Sequence, residues 1–488
     1  MVEYQPLRRL LSCDRPDNLP LALVGGEVRT WGDWRQRVDD WRQVISQSTG
    51  ETWALYHNDS FEFSAILFAL WAEKRIACVP GSNQKIIVES LREHVDGFVG
   101  DFAHLPTDIF LPNPTEQHMR DGKTLSCVEL DDNKKVLEIY TSGSSGEPQA
   151  IDKALFQIAE EINNLQALWS NYGRGAMFFS SVSHHHIYGM LFKVFWPLAA
   201  GYQFDSDLCE TLDDIPRRLS PEQQFVLISS PSHLSRIPER NHWAQLSTRC
   251  AAVFSSGAPL SLAASLDTKL KLDFTPIEVY GSSETGGIAT RQQQADVDVL
   301  WQPVPGIQLS LEDNTGCLQI RSRYLPPMQG NQWYLTSDRV RIIDNNQFRL
   351  LGRVDRIVKI EGKRISLTAM EKRLETHDWV EQVKLVVLQR NRTEIGAVVV
   401  LTELGNRKQT ELGKRKINIA LRGHLLDQFE RAVVPRRWRF PVQLPFDKQG
   451  KLPQHHLLAF FTNKNDATPQ DVRMSPIFPE NPLRKKRL

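Results

Sequence analysis

The sequence predicts an α/β fold: a large N-terminal domain of several subdomains, part of it β-rich, followed by a small mobile α+β C-terminal domain. Three observations carry this. Short apolar runs alternate with helical stretches over the first three hundred residues or so, short strand candidates with polar turns crowd the stretch after about residue 305, and residues 357–461 mix helices with two apolar strands. At 488 residues the chain is too long for one ordinary core. The expected division is 1–354, 355–461 and a flexible tail over 462–488.

Taken in order, Trp53–Leu55 within 51–58 reads as a strand, Phe61–Leu70 as a helix, and Ile76–Val79 as a strand stopped by Pro80-Gly81. Val136–Ile139 is a short apolar strand followed by a Gly/Ser loop and a helical run from about 154 to 171. Ala176–Phe179 is another strand and 187–198 a strongly apolar helix. Val226–Ser229, Ala251–Phe254 and Ile277–Tyr280 are further strands. Beyond 305, strands are expected at Gln308–Leu311, Cys317–Ile320, Trp333–Leu335, Val340–Ile343 and Phe348–Leu350, with a turn at Asp344-Asn345-Asn346. Arg353–Arg356 reads as a linker, Leu367–Leu374 as a helix, Val383–Leu388 and Ile395–Leu401 as strands, and 411–431 as one long helix. The Asn- and Pro-rich residues after Phe461 have little to pack.

Composition narrows the classes. A 41% hydrophobic content supports extensive burial, and 59 basic against 58 acidic residues leave a net charge of +1. That balance offers no bulk steering toward nucleic acid or an anionic membrane. Six scattered cysteines with no CxxC pair read as reduced thiols, neither a disulfide framework nor a zinc site. No secretory core opens the chain and no charge-free apolar stretch reaches about 20 residues, so a cytoplasmic protein without stable membrane insertion is expected.

Six segments carry candidate chemistry. Thr141-Ser142-Gly143-Ser144-Ser145-Gly146 follows a strand, and its glycines and hydroxyls suit either an anion cradle or a plain exposed turn. It is neither a Walker A loop nor GxGxxG. Tyr280-Gly281-Ser282-Ser283-Glu284 also follows a strand; Glu284 suits Mg²⁺, or it caps a strand-to-helix turn with Ser283. Asp338 is placed to bond sugar hydroxyls or to close a turn, and Arg353 with Asp355 to do the same or to pair in a linker. Lys451, in Asp447-Lys-Gln-Gly-Lys-Leu452, is a point charge for a developing oxyanion or part of a surface turn. His184-His185-His186 has no acidic partner at metal-ligand spacing, which leaves one pocket-facing histidine as the better reading.

In this order and at these intervals, the segments resemble the adenylate-forming acyl-activating superfamily over about residues 25–461. That superfamily includes acyl-CoA synthetases, nonribosomal peptide synthetase adenylation domains and beetle luciferases. The resemblance implies that Tyr140–Ala150 is the phosphate loop, with Thr141, Ser142, Gly143, Ser144, Ser145 and Gly146 around the ATP phosphates. Ser256-Gly257-Ala258-Pro259-Leu260 would line the acyl and adenine pockets, with Gly257, Ala258 and Pro259 facing the nucleotide. Tyr280, Gly281, Ser282 and Ser283 would hold adenine, and Glu284 the Mg²⁺ with Thr141 nearby. Asp338 and Arg353 would contact ribose, Asp355 would be the hinge, Lys451 the adenylating lysine and His186 the gate beside the carboxylate. ATP is the implied cosubstrate, a small carboxylic acid the substrate, and CoA or holo acyl carrier protein the acceptor.

The departures are specific. The usual proline–lysine–glycine ending of the phosphate loop is Pro148-Gln149-Ala150, which removes a positive charge that nearby Lys153 is a candidate to replace. Ser283 stands for threonine, Ser337 for glycine, and Cys317 for an acidic residue. With Lys451, Arg353, Asp338 and Glu284 retained, the expectation is a divergent active ligase that makes an acyl adenylate and then a thioester. The chain is short for the family, and Phe178, Phe179, Tyr188, Phe192 and Trp196 either line a trimmed pocket for an aryl or medium-length acyl group or pack the core. The alternatives are a ligase with a non-thiol acceptor and a non-catalytic nucleotide-binding relative.

Overall fold

Strand–helix alternation builds two mainly parallel sheets in the computed structural model, which describes residues 3–102, 110–115, 127–142, 148–238, 243–326, 332–343, 346–360, 363–389, 393–429, 431, 433–447 and 452–462. The strands are β1 (Pro20–Val24), β2 (Glu27–Thr30), β3 (Thr52–Tyr56), β4 (Ile76–Pro80), β5 (Gly97–Gly100), β6 (Lys135–Ser142), β7 (Pro148–Ala154), β8 (Ala176–Ser180), β9 (Gln203–Asp205), β10 (Gln224–Ser229), β11 (Cys250–Ser255), β12 (Ile277–Ser282), β13 (Gly286–Arg291) and β14 (Gln302–Pro303). One sheet has the order β5-β3-β4-β6-β7 and the other β14-β13-β12-β11-β10-β8-β9-β1-β2. Pairs β3–β4, β4–β6, β8–β10, β10–β11 and β11–β12 are parallel, so the strands expected from short apolar runs are buried on both faces.

Helices α1 (Trp31–Ser46), α2 (Ser60–Ala72) and α3 (Leu155–Gly173) cover these sheets. A reciprocal cap between Thr30 and Asp33 starts α1, and Trp31, Trp34, Val38, Trp41 and Ile45 recur at helical spacing as its buried stripe. In α2 twelve of thirteen residues are buried, so this helix runs through the core. The apolar run 187–198 is not one regular helix. Ile187–Gly189 and Trp196–Ala200 flank a wider π segment, Met190–Phe195. Pro197 has no N–H to give the ordinary ladder, which breaks at that point.

A four-stranded sheet follows, β15 (Gln308–Leu311), β16 (Cys317–Arg321), β17 (Tyr334–Ile342) and β18 (Phe348–Arg353), in sequential order. This is the expected β-rich portion with one correction: the separate strands expected at 333–335 and 340–343 are a single strand. Asp338 lies in its middle and does not close a turn. The turn expected at 344–346 falls mostly outside the described residues.

Contacts divide the chain between Leu351 and Gly352. The second unit holds the hairpin β19 (Ile357–Ile360) and β20 (Lys363–Ser366), helix α4 (Leu367–Glu375), and a sheet of β21 (Val380–Gln389), β22 (Thr393–Leu401) and β23 (Arg437–Arg439). Both faces of that sheet are covered. Val383, Leu385, Ala397 and Val399 pack with one group of side chains, and Val386, Leu388, Val398 and Val400 with another. The long helix expected over 411–431 is instead α5 (Glu403–Leu412) and α6 (Lys414–Leu426), separated by Gly413 at φ 80°. Arg353–Arg356 is not a free linker: Arg353 ends β18, and a short 3₁₀ turn, Val354–Arg356, follows. Arg356 and Lys384 pair with buried Glu371. The expected tail lies, from 463 on, outside the described residues. All six cysteines are unbridged, and no helix among the described residues is long and apolar enough to cross a membrane.

Candidate active site

The β12–β13 hairpin supplies the first half of the site. Ser282 pairs with Gly286, so Ser283-Glu284-Thr285 forms the whole connection. The expected turn into a helix is therefore a strand-to-strand turn. Ser282 N donates to Thr285 Oγ1 at 3.0 Å, Thr285 N to Ser282 Oγ at 3.3 Å, and Thr285 Oγ1 to Gly286 O at 3.0 Å. Gly281 has to be glycine, because a Cβ there would lie 2.0 Å from Gly286 O. Glu284 is half-buried at the tip, and its carboxylate makes no hydrogen bond or ion pair among the described residues. Its charge acts on buried Lys153, and a hard carboxylate placed on a braced turn fits Mg²⁺.

Two buried charges lie behind this turn. Lys153 on β7 donates from Nζ to the Glu284 carbonyl at 3.0 Å, and Glu161 on α3 accepts from Gly287 N at 3.0 Å through Oε2. Lys153 is 1% exposed and Glu161 3%. Burial lowers the Lys153 ammonium below its ordinary range and raises the Glu161 carboxyl, each opposed by the other's charge. The buried, bonded Lys153 is thus not an exposed replacement for the lysine missing at Gln149. Glu161 went unnoticed in the sequence, yet its spacing from Ile158 and Leu165 puts it on the buried stripe of α3.

Tyr280 and Asp338 meet. The Tyr280 hydroxyl donates to Asp338 Oδ2 at 2.8 Å, while its ring packs 5.5 Å from Trp301 and 5.8 Å from Phe348. The neighbouring turn is clamped at both ends. Ser256 Oγ donates to Val279 O at 2.8 Å and Leu260 N to Glu278 Oε2 at 3.1 Å, leaving Gly257, Ala258 and Pro259 exposed between them. Gly257 sits at φ +90° with open space where a Cβ would be. Glu278 is a residue the sequence reading missed. Arg291, its partner across the hairpin, reaches it at 2.7 Å and stacks over Trp301 at 4.5 Å. An acid and a base directly opposite on paired strands is the signal that marks it.

The histidine run does not diverge as adjacent strand residues would: it lies in a turn, with the His184 and His185 rings 4.4 Å apart. His184 contacts the His57 carbonyl from Nε2 at 2.8 Å; His185 Nε2 accepts from His57 N at 3.3 Å and its ring stacks on Tyr56 at 3.8 Å. Burial drives His184 well below its usual range and His185 down to about 3, so both are neutral structural rings. His186 is half-buried at the start of the Ile187–Gly189 turn. Of the five aromatics expected near an acyl group, Phe178, Phe179, Phe192 and Trp196 are core, and only Tyr188 is half-buried.

The loop expected to hold phosphates joins antiparallel β6 and β7, with Thr141 opposite Gln149 and Ser142 opposite Pro148. The side chains of Thr141 and Ser142, all of Gly143, Ser144, Ser145 and Gly146, and Lys451 lie outside the described residues. So do the side chains of Asp355 and Lys359. Arg353 is exposed at the end of β18, in the second unit.

One other cluster among the described residues has metal-ligand chemistry: Cys78, His94 and Glu138, with donor atoms within 4.8 Å of one another. Both Glu138 oxygens are engaged, by Lys135 at 2.6 Å and His94 at 2.7 Å. Burial pushes the Cys78 thiol up, further from the thiolate a metal needs. A charge network accounts for it.

Comparison with known proteins adds three findings. A family model described as AMP-binding enzyme matches residues 83–322. A 4-coumarate–CoA ligase of Halorhodospira halophila is 28% identical over 253 residues, half of this chain and 57% of the ligase, so the match spans little more than half of that relative. A D-alanine–D-alanyl carrier protein ligase of Staphylococcus aureus is 25% identical over 66% of this chain and 71% of its own. Among solved structures, ATP-bound MatB from Rhodopseudomonas palustris superposes with a TM-score of 0.77 at 13% identity, covering 93% of this chain and 99% of that one, a likeness of fold.

Proposed function

Because this chain belongs to the AMP-binding, adenylate-forming superfamily, we propose that it activates a small carboxylic acid with ATP and passes the acyl group to the thiol of CoA or of a holo acyl carrier protein. The observation that carries the reading is the half-buried Glu284 carboxylate, within electrostatic reach of Lys153 and held on a braced turn that follows Tyr280 by four residues while Tyr280 is itself bonded to Asp338.

A carboxylate oxygen attacks the α-phosphorus of ATP, the bond to the bridging oxygen breaks, and pyrophosphate leaves with the electron pair. Tyr280 packs the adenine, Asp338 and Arg353 hold ribose hydroxyls, and Thr141–Gly146 hold the phosphates through backbone N–H and hydroxyl donors. Glu284 anchors Mg²⁺, which when bound offsets charge on the phosphate oxygens. Lys451 faces the oxygens of the reacting centre, and His186 borders the acyl carboxylate. In the second step the thiol sulfur bonds to the acyl carbon as the C–O bond to AMP breaks, and the thiol proton passes to solvent. A hinge at Asp355 would exchange Lys451 for Lys359–Ile365 between steps, since each step needs different groups at one carbonyl.

Mass spectrometry of products with ATP, Mg²⁺ and a panel of acids, supplied with CoA or with holo carrier protein, tests the acceptor. An acyl thioester with one thiol is expected. Free acyl-AMP accumulating with both thiols would point instead to an amine or oxygen acceptor.

A further inference from the structure

The lysine and glutamate buried behind the Glu284 turn have no part in the chemistry above. Each makes one bond to main chain of that turn. Lys153 Nζ holds the Glu284 carbonyl at 3.0 Å, and Glu161 Oε2 holds the Gly287 N–H at 3.0 Å. The first bond fixes the peptide plane that leaves Glu284, and with it the direction of the Glu284 side chain. The second fixes the start of β13. Between them Gly286, at φ +68°, presses its Cα against the Glu161 carboxyl so closely that a Cβ would lie 2.5 Å from it. Glu161 Oε1 is buried without a hydrogen-bond partner in the protein.

Two charges inside a core are a costly way to fill volume, because apolar side chains of similar size pack there at no desolvation penalty. What apolar residues cannot supply is a donor to one carbonyl and an acceptor for one N–H at set positions. The strand that carries Lys153 is also the strand that leaves the phosphate loop, and Glu161 lies about two turns into the helix that follows it. The two residues therefore tie the elements on either side of the nucleotide to each other.

We infer that Lys153 and Glu161 are positioning residues that aim the Glu284 carboxylate and so set the affinity of the nucleotide site for its divalent cation. The inference rests on the reading of Glu284 as the metal-side carboxylate. Losing such an outer partner costs a metal site about 10–100-fold in affinity.

The test is calorimetric titration of the full chain with ATP across a series of Mg²⁺ concentrations, with no carboxylic acid present. Four proteins are compared: wild type, Glu161→Gln, Lys153→Met/Glu161→Gln and Glu284→Gln. Glu161→Gln keeps an acceptor for Gly287 and should behave as wild type. The double variant leaves no buried charge yet loses the Glu284 bond. It should need about tenfold more Mg²⁺ to reach half of the Mg²⁺-dependent gain in ATP affinity, with Mg²⁺-free ATP affinity unchanged. If the double variant does not fold, Lys153→Leu/Glu161→Gln, which also lacks a donor at 153, is read the same way. A folded double variant with wild-type Mg²⁺ dependence, beside a shifted Glu284→Gln, overturns the inference and leaves the Glu284 reading standing. Wild-type Mg²⁺ dependence in Glu284→Gln itself removes that reading and the inference with it.

Discussion

The Tyr280 hydroxyl donates to Asp338 Oδ2 at 2.8 Å, joining the nine-stranded sheet to the middle of β17 in the four-stranded one. A hydrogen bond to a charged group contributes about 1.5–3 kcal/mol, so this bond orders two candidate nucleotide contacts at once. Asp338→Asn is expected to weaken ATP binding by roughly 10–100-fold, and Tyr280→Phe by less, with both lowering the melting temperature as the bond is weakened or lost. Calorimetric titration with ATP checks both. Wild-type affinity in Asp338→Asn would remove Asp338 from the nucleotide site.

Much of this arrangement was legible in the sequence, and the exceptions have physical reasons. Apolar runs such as Val226–Ser229 and Ala251–Phe254 announced buried parallel strands because both of their faces are covered. The strand Pro148–Ala154 did not announce itself: Gln149, Asp152 and Lys153 look like loop residues, and nothing local says that Lys153 is buried. Tyr334–Ile342 reads as two strands because Thr336-Ser337-Asp338-Arg339 breaks its apolar pattern, and one of those polar residues, Asp338, bonds Tyr280. Glu284 was legible by type and position, whereas the pair behind it depends on a contact across more than a hundred residues.

Gly286 is a point where backbone and packing agree. Gly286→Ala would force a side chain into left-handed φ at +68° and drive its Cβ to 2.5 Å from the Glu161 carboxyl. A loss of about 1–3 kcal/mol is expected, read as a lower midpoint in urea unfolding. An unchanged midpoint would mean that the turn is looser than this packing requires.

Trp196 separates core from pocket. It is fully buried, lies 5.3 Å from Phe178 and 6.1 Å from Phe254, and donates from Nε1 to Gln166. Trp196→Ala should cost about 3–5 kcal/mol of stability while leaving the order of preference among acids unchanged. A changed preference with intact stability would return Trp196 to the acyl pocket.

Acid sensitivity should come from the histidines at His57. His185 is held down to about 3 by burial, then by the charges of His57 and Lys193 against a bond from the His57 backbone, and burial likewise lowers His184. In the unfolded chain these rings return to the ordinary value of 6.5. Below that value the unfolded state binds more protons, so their contribution to stability is complete above pH 6.5 and is lost as pH falls toward about 3. Melting temperature should drop from about pH 6.5 to about pH 4.5, and His184→Asn/His185→Asn should flatten the slope. Parallel profiles would place the acid sensitivity elsewhere.

Carboxylate-dependent exchange of labelled pyrophosphate into ATP, run over a broad panel of acids with wild type, Glu284→Gln and Lys451→Ala, tests the central claim most directly. Exchange with at least one acid, falling by about 100-fold or more in both variants, is the expected result. No exchange by the wild type with any acid would contradict it.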